Sequence, residues 1–114
     1  MQEFVCVIIN NEVKSTNKIY IMIVKNVNGT SYRSCNCGSW IDHWRNFSNQ
    51  TATICRAKGC SNKQIVGAHV KKSYSTDNKE YIVPFCNYHN HQTGNIELVE
   101  GTVLTPANKN LTCK

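Results

Sequence analysis

Seven cysteines and four histidines among 114 residues are the side chains with the most chemistry to offer, and they are clustered. Cys55 and Cys60 flank Arg-Ala-Lys-Gly, and Cys86 and His89 flank Asn-Tyr, with 25 residues between the two pairs. Two such pairs make one tetrahedral metal site feasible: each bites from one side, and the gap is long enough for a hairpin. Gly59 can supply the positive φ that a tight ligand turn needs. Thiolate and imidazole suit Zn²⁺, a borderline-soft ion without redox chemistry. Four protein ligands leave no open position, so the zinc would be structural. The alternative reading is buried free cysteines beside a surface histidine. Spacing also leaves open which imidazole completes the set, because His69, His89 and His91 all carry usable nitrogens.

A second constellation precedes the first. Cys35-Asn36-Cys37-Gly38 has the Cys-x-Cys-Gly form of a tight metal-binding turn. His43, six residues after Cys37, and Cys113 near the other end of the chain are its candidate partners, giving a second zinc site. The competing reading makes Cys35 and Cys37 half-buried thiols or a reactive pair. Cys6 lies in an apolar run and reads as core. The opening Met-Gln-Glu-Phe-Val has neither a basic n-region nor a small-residue cleavage site, so it does not read as a signal peptide. That points to the cytoplasm, where thiols stay reduced and clustered cysteines are better read as ligands than as bridges.

These residues must be positioned by few elements. A chain of this length hides only about two-thirds of its unfolded surface, so one domain with a modest core is expected, 1–114. Residues 4–9 and 19–25 are β-branched and apolar and predict an antiparallel hairpin, with Asn28-Gly29 as a turn after the second strand. Ser39 can cap a helix carrying Trp40, Ile41, Trp44 and Phe47 on one side, ending near Ser48-Asn49. The three aromatic residues read as core. Residues 64–70 and 80–85 predict two further strands joined by a polar loop, with Pro84 marking an edge or a strand end. A short helix starts at Cys86 and stops by Gly94, and the tail from Glu97 holds one or two short strands. The expected class is therefore α+β: an N-terminal hairpin and an amphipathic helix in 1–50, a zinc-bound ββα unit in 52–100, and a tail in 101–114.

The thiolate pair, a strand carrying Gly67-Ala68-His69-Val70, a strand ending Tyr81-Ile82-Val83-Pro84-Phe85, and Cys86-Asn87-Tyr88-His89-Asn90 opening a helix follow one another in a familiar order. Over roughly residues 52–100 this resembles the zinc-bound treble clef of the HNH endonucleases. The resemblance implies that His69 takes the position of the general base that activates water. Asn90 takes the position of a helix-borne ligand for a catalytic divalent ion such as Mg²⁺, which steadies the leaving oxygen of the scissile phosphate. The chain departs from the family at two places. Ala68 stands where a metal-binding residue usually precedes the base, and the usual Asn of the second strand is replaced by the neighbourhood of Glu80 and Tyr81. His91, Asp77 or Glu80 would have to substitute.

Charge supplies the remaining clue. The net charge is +6, and no acidic residue lies between Asp42 and Asp77 while Arg45, Arg56, Lys58, Lys63, Lys71 and Lys72 do. A basic stretch of this kind is either a solvated face or a surface for an anionic partner, and nucleic acid is the commonest one. Arg56, Lys58, Lys63, Lys71 and Lys72 are the candidate phosphate contacts. No apolar run approaches the ~18 residues of a membrane span. The sequence therefore favours a zinc-stabilised, HNH-like binder of nucleic acid with lost or weak chemistry. An active metal-dependent endonuclease is the alternative, and an effector or inhibitor that binds a protein is the third reading.

Overall fold

Residues 65–72 run Ile-Val-Gly-Ala-His-Val-Lys-Lys, too apolar on both sides for a strand with one wet face, and the structure covers both sides of it. The computed structural model describes residues 21–27, 29 and 37–107. In chain order these form β1 (Ile23–Asn26), α1 (Trp40–Ser48), β2 (Ile65–Lys72), β3 (Tyr81–Cys86), α2 (Asn87–Asn90), β4 (Ile96–Glu97) and β5 (Thr105–Pro106). The five strands make one antiparallel sheet in the order β4-β1-β2-β3-β5. The α+β class expected from the sequence is what forms.

Period-two alternation sorts the central strands onto two faces. Ala68 and Val70 of β2, Val83 and Phe85 of β3, and Val24 of β1 pack with Cys55, Ala57, Cys86, Ile96 and Leu98 in the larger core. His69 and Gly67 alternate to the other face, opposite their cross-strand partners Ile82 and Pro84. There α1 lies across the sheet, and Trp44, Ala52 and Ile82 form a second, smaller core.

Helix α1 starts where the sequence says it should. Ser39 is extended (φ −146°) and its hydroxyl accepts from the Asp42 N–H at 3.1 Å, satisfying one of the orphan donors of the first turn. Asn49, in the left-handed region at φ 61°, ends it. Trp44 is fully buried and its indole N–H donates to the Val103 carbonyl at 2.8 Å, so the helix is tied to the chain just before β5. Phe47 departs from the expected core: it is 45% exposed, on the last turn, with its ring tilted against that of His43 at 5.1 Å.

The expected N-terminal hairpin is not tested as a pair. Residues 4–9, with Cys6, lie outside the described residues, and the second strand is described as β1 from Ile23. At Val24 both edges of β1 are taken, by Lys72 of β2 and Ile96 of β4, so its partners there come from the second half of the chain. Pro84 belongs to a strand that is interior by sheet order, yet β5 pairs only with Tyr81 and Ile82. Beyond them no strand among the described residues meets the outer side of β3, so there a residue without an N–H breaks no described ladder; the Pro84 carbonyl accepts from the Arg56 N–H at 2.9 Å.

Gly67 is where α1 comes closest to the sheet. A methyl group there would overlap the Trp40 carbonyl carbon and stand 2.6 Å from the Ile41 nitrogen, both backbone atoms of the helix start. Gly67→Ala must therefore lift α1 off β2. We expect a loss of about 2 kcal/mol or more in urea unfolding, the range of an overpacked core; an unchanged midpoint would show that the helix is free to move.

Candidate metal centre

The four paired ligands sit on three kinds of support. Cys86 ends β3 and is the N-cap of α2, so its Sγ accepts the His89 N–H at 3.5 Å. The spacing Cys-x-x-His thereby places cap and imidazole in the same helical turn, the geometry in which an N-cap side chain reaches the third residue of a helix. Cys55 and Cys60 lie on a loop folded by its own backbone: the Cys60 N–H donates to the Ala57 carbonyl at 3.0 Å, and the Cys55 N–H to that of Asn62 at 2.9 Å. Gly59 takes φ 85° in this turn, as its place in the sequence suggested. The loop is stitched to the chain around β4 through Lys58 N–H to Glu97 O and Val99 N–H to Arg56 O, at 2.9 and 2.8 Å.

The ligand atoms of Cys55, Cys60, Cys86 and His89 all fall within 4.8 Å of one another. Cys60 Sγ is 3.9 Å from Cys86 Sγ, and His89 Nδ1 is 3.3 Å from Cys86 Sγ and 3.7 Å from Cys55 Sγ. Zn–S and Zn–N bonds of ~2.3 and ~2.05 Å at tetrahedral angles set S···S edges of about 3.8 Å and S···N edges of about 3.6 Å. These three edges lie close to those of that tetrahedron, the other three are no longer than 4.8 Å, and a sulfur pair 3.9 Å apart is no disulfide. His89 is the imidazole that joins this cluster. His69 lies on the sheet face turned to α1, and His91 is exposed with Nδ1 2.9 Å from the Asn87 carbonyl. Among the described residues no other group of three or more Cys, His, Asp or Glu side chains comes close enough to share an ion.

The thiols are unequal before any ion arrives. Burial pushes Cys55 up to about 12, against backbone hydrogen bonds that work the other way. Burial also opposes ionisation of Cys86, but the His89 N–H, its imidazole and the neighbouring thiols outweigh it and bring Cys86 down to about 7. Cys86 is thus the thiolate ready to take a metal at neutral pH, whereas Cys55 must give up its proton to the binding event, which makes affinity rise with pH.

Sequence reasoning missed the side chain that holds α2 in place. Asn26 of β1 donates both hydrogens of its amide, at 2.8 Å to the His89 carbonyl and 2.8 Å to the Gln92 carbonyl. The His89 carbonyl also accepts from the Gln92 N–H at 3.3 Å, so a side chain from a distant strand adds its own bonds to the turn that carries the imidazole. An Asn in a strand has no local signature of such a role.

The other candidates are scattered. Ala68, at 1% exposure, is packed in the larger core. His69 is 5% exposed, with its ring edge-on to Trp40 at 4.6 Å. Asn90 closes α2, with no described contact to His69. Asp77 is engaged locally: it accepts from Tyr81 Oη at 2.6 Å and from the Lys79 N–H at 2.8 Å, and it pairs with Lys72 at 3.4 Å. The Tyr81 hydroxyl, followed by the Lys79 N–H, holds its carboxyl below the usual carboxylate range. Cys37 and His43 are neighbours, with Sγ and Nδ1 3.9 Å apart, while Cys35 and Cys113 lie outside the described residues.

Of the five candidate phosphate contacts, three are committed within the chain. The Arg56 guanidinium lies over the Trp44 ring at 5.2 Å and donates to Thr51 O and Thr102 Oγ1. Lys58 pairs with Glu97 at 3.2 Å. Lys72 pairs with Asp77 and lies 5.2 Å over the Tyr81 ring. Lys63 and Lys71 make no ion pair among the described residues, and neither do Lys25 and Lys79, which the sequence reading did not single out.

No protein-family model, no curated protein and no solved structure matches this chain. No described helix is long and apolar enough to cross a membrane.

A metal held by four side chains from three separate segments contributes on the order of 10 kcal/mol, more than so small a core has to spare. Removing it with a strong chelator, or substituting Cys60→Ser, should unfold residues 55–95. Circular dichroism that stays unchanged after verified metal removal would refute this. Asn26→Ala leaves all four ligands in place but frees α2, and metal affinity should fall by about tenfold in a competition titration with a chromophoric chelator, the low end for outer-shell partners. Unaltered affinity would mean that the turn holds itself.

Proposed function

We propose that the chain is a zinc-stabilised module of the treble-clef, HNH-like kind that binds nucleic acid and has lost the cleavage chemistry. The Cys₃His cluster takes Zn²⁺ as a structural ion: three thiolates against a dication leave a net −1 there, and four protein ligands leave no place for water or substrate. Counting those charges, the formal +6 of the chain becomes +6 − 3 + 2 = +5, still strongly basic.

The observation that carries the binding reading is the pairing of Lys25 with Lys71. They are direct cross-strand partners on β1 and β2, and neither has an anionic partner among the described residues. Like charges directly opposite each other in a sheet repel, and a shared phosphate turns that cost into attraction. Tyr74, three residues beyond Lys71 and 73% exposed, offers a ring on which a base can stack.

Two features favour binding over cutting. The position before the presumed base is Ala68, whose side chain is core and offers no ligand to a catalytic ion. His69 itself is buried against Trp40, whereas a general base must touch the water it activates. In this reading His69 fills the seam between α1 and the sheet.

Anisotropy titrations of labelled single- and double-stranded DNA and RNA against salt test the proposal. We expect affinity to fall steeply with salt as neutralised phosphates release counterions. Lys25→Ala and Lys71→Ala should each lower the slope by about 0.7 to 0.9, depending on strandedness, whereas His69→Asn should leave it alone. Absence of binding at low salt overturns the assignment in favour of a protein partner. Mg²⁺-dependent cutting that His69→Asn abolishes without unfolding restores the endonuclease reading.

A further inference from the structure

The Cys37–His43 pair is not used by the cluster or by the proposed binding face, and its geometry is that of a ligand pair. His43 is fully buried on α1. Its Nε2 is 2.8 Å from the Pro106 carbonyl oxygen of β5. A carbonyl only accepts, so in the neutral imidazole Nε2 carries the proton and Nδ1 the lone pair. That lone-pair nitrogen is the one facing Cys37 Sγ, at 3.9 Å. Ligating histidines commonly donate their second N–H to a carbonyl or carboxylate, which fixes both tautomer and ring orientation. The S···N spacing is also close to the ~3.6 Å edge set by a shared tetrahedral zinc. Immediately after Cys37, Gly38 takes φ 108°, the backbone of a tight ligand turn.

We propose that Cys37 and His43 are two ligands of a second structural Zn²⁺. It sits on the face of the sheet that carries α1, apart from the cluster at Cys55. A carbonyl of β5 presets the imidazole, so the ion ties the turn before α1 to the helix, and through Pro106 to the edge strand. For the ligands that complete the coordination, the sequence offers Cys35, two residues from Cys37, and Cys113, seven residues beyond Pro106. Both lie outside the described residues, and the inference takes nothing from their placement.

The test is zinc per chain, measured by elemental analysis on the untagged full-length protein, with circular dichroism as the control for folding. Two ions are expected in the wild type and one in Cys37→Ser, a half-buried position that tolerates the change better than the buried His43. One ion in the wild type, or two retained by Cys37→Ser, overturns the proposal. Titration with Co²⁺ gives a second readout: the thiolate charge-transfer band should saturate at two equivalents in the wild type and at one in Cys37→Ser. Loss of the same equivalent in Cys35→Ser or Cys113→Ser names the completing ligands. Cys37→Ser leaves the Cys55, Cys60, Cys86 and His89 cluster intact, so the ion it keeps reports on that cluster and the ion it loses on the second site.

Discussion

Three sulfurs and one nitrogen brought within 4.8 Å of one another are the constraint around which this chain is arranged. Crowding does not help every bare thiol: burial, with the neighbouring Cys60 and Cys86 thiols, drives Cys55 away from ionisation. The arrangement makes physical sense as a cage for a dication, which turns four mutually awkward groups into one strong bond network. Because the ligands come from the 55–60 loop, the end of β3 and the first turn of α2, closing the cage sets the relative placement of all three.

The sheet carries that cage on one side and a helix on the other, and its central strands are consequently apolar on both faces. This explains the character of β2. Ala68 and Val70 serve the larger core, while Gly67 must be without a side chain because the start of α1 rests on it. His69 is caught between those demands, in a strand whose second face is covered by Trp40. The position that would hold a catalytic base is thereby part of a packing seam. The cost of exposing it is the cost of moving α1.

Charge is distributed by the same logic. Cations that the sequence groups together are separated by the fold into those that brace it and those that are left outward. Arg56 braces the loop against Trp44 and the chain at Thr102, and Lys72 steadies the turn around Asp77. Lys25 and Lys71, remote in sequence, become neighbours only because β1 pairs with β2. Under the proposed binding reading, the juxtaposed lysine pair is therefore a product of strand pairing, more than of the basic run itself.

The sequence by itself determined the elements whose signals are local. Ser39 capping α1, the strands around residues 65–72 and 81–86, the turn at Gly59 and the Cys-x-x-His start of α2 each depend on contacts within a few residues. The pairing of Cys55 and Cys60 with Cys86 and His89 was legible for a related reason: short ligand spacings survive in the linear order. What only the tertiary structure decided depends on partners far apart in the chain. It placed His89 in the cluster, over His69 and His91, because His69 lies on the face turned to α1 and His91, capping α2, is exposed with its ring on the Asn87 carbonyl. It gave Asn26 to the far end of α2, left Phe47 half outside, and set Lys25 opposite Lys71. None of these can be read from spacing, since a strand records which residues share a face but not which strand will lie beside it.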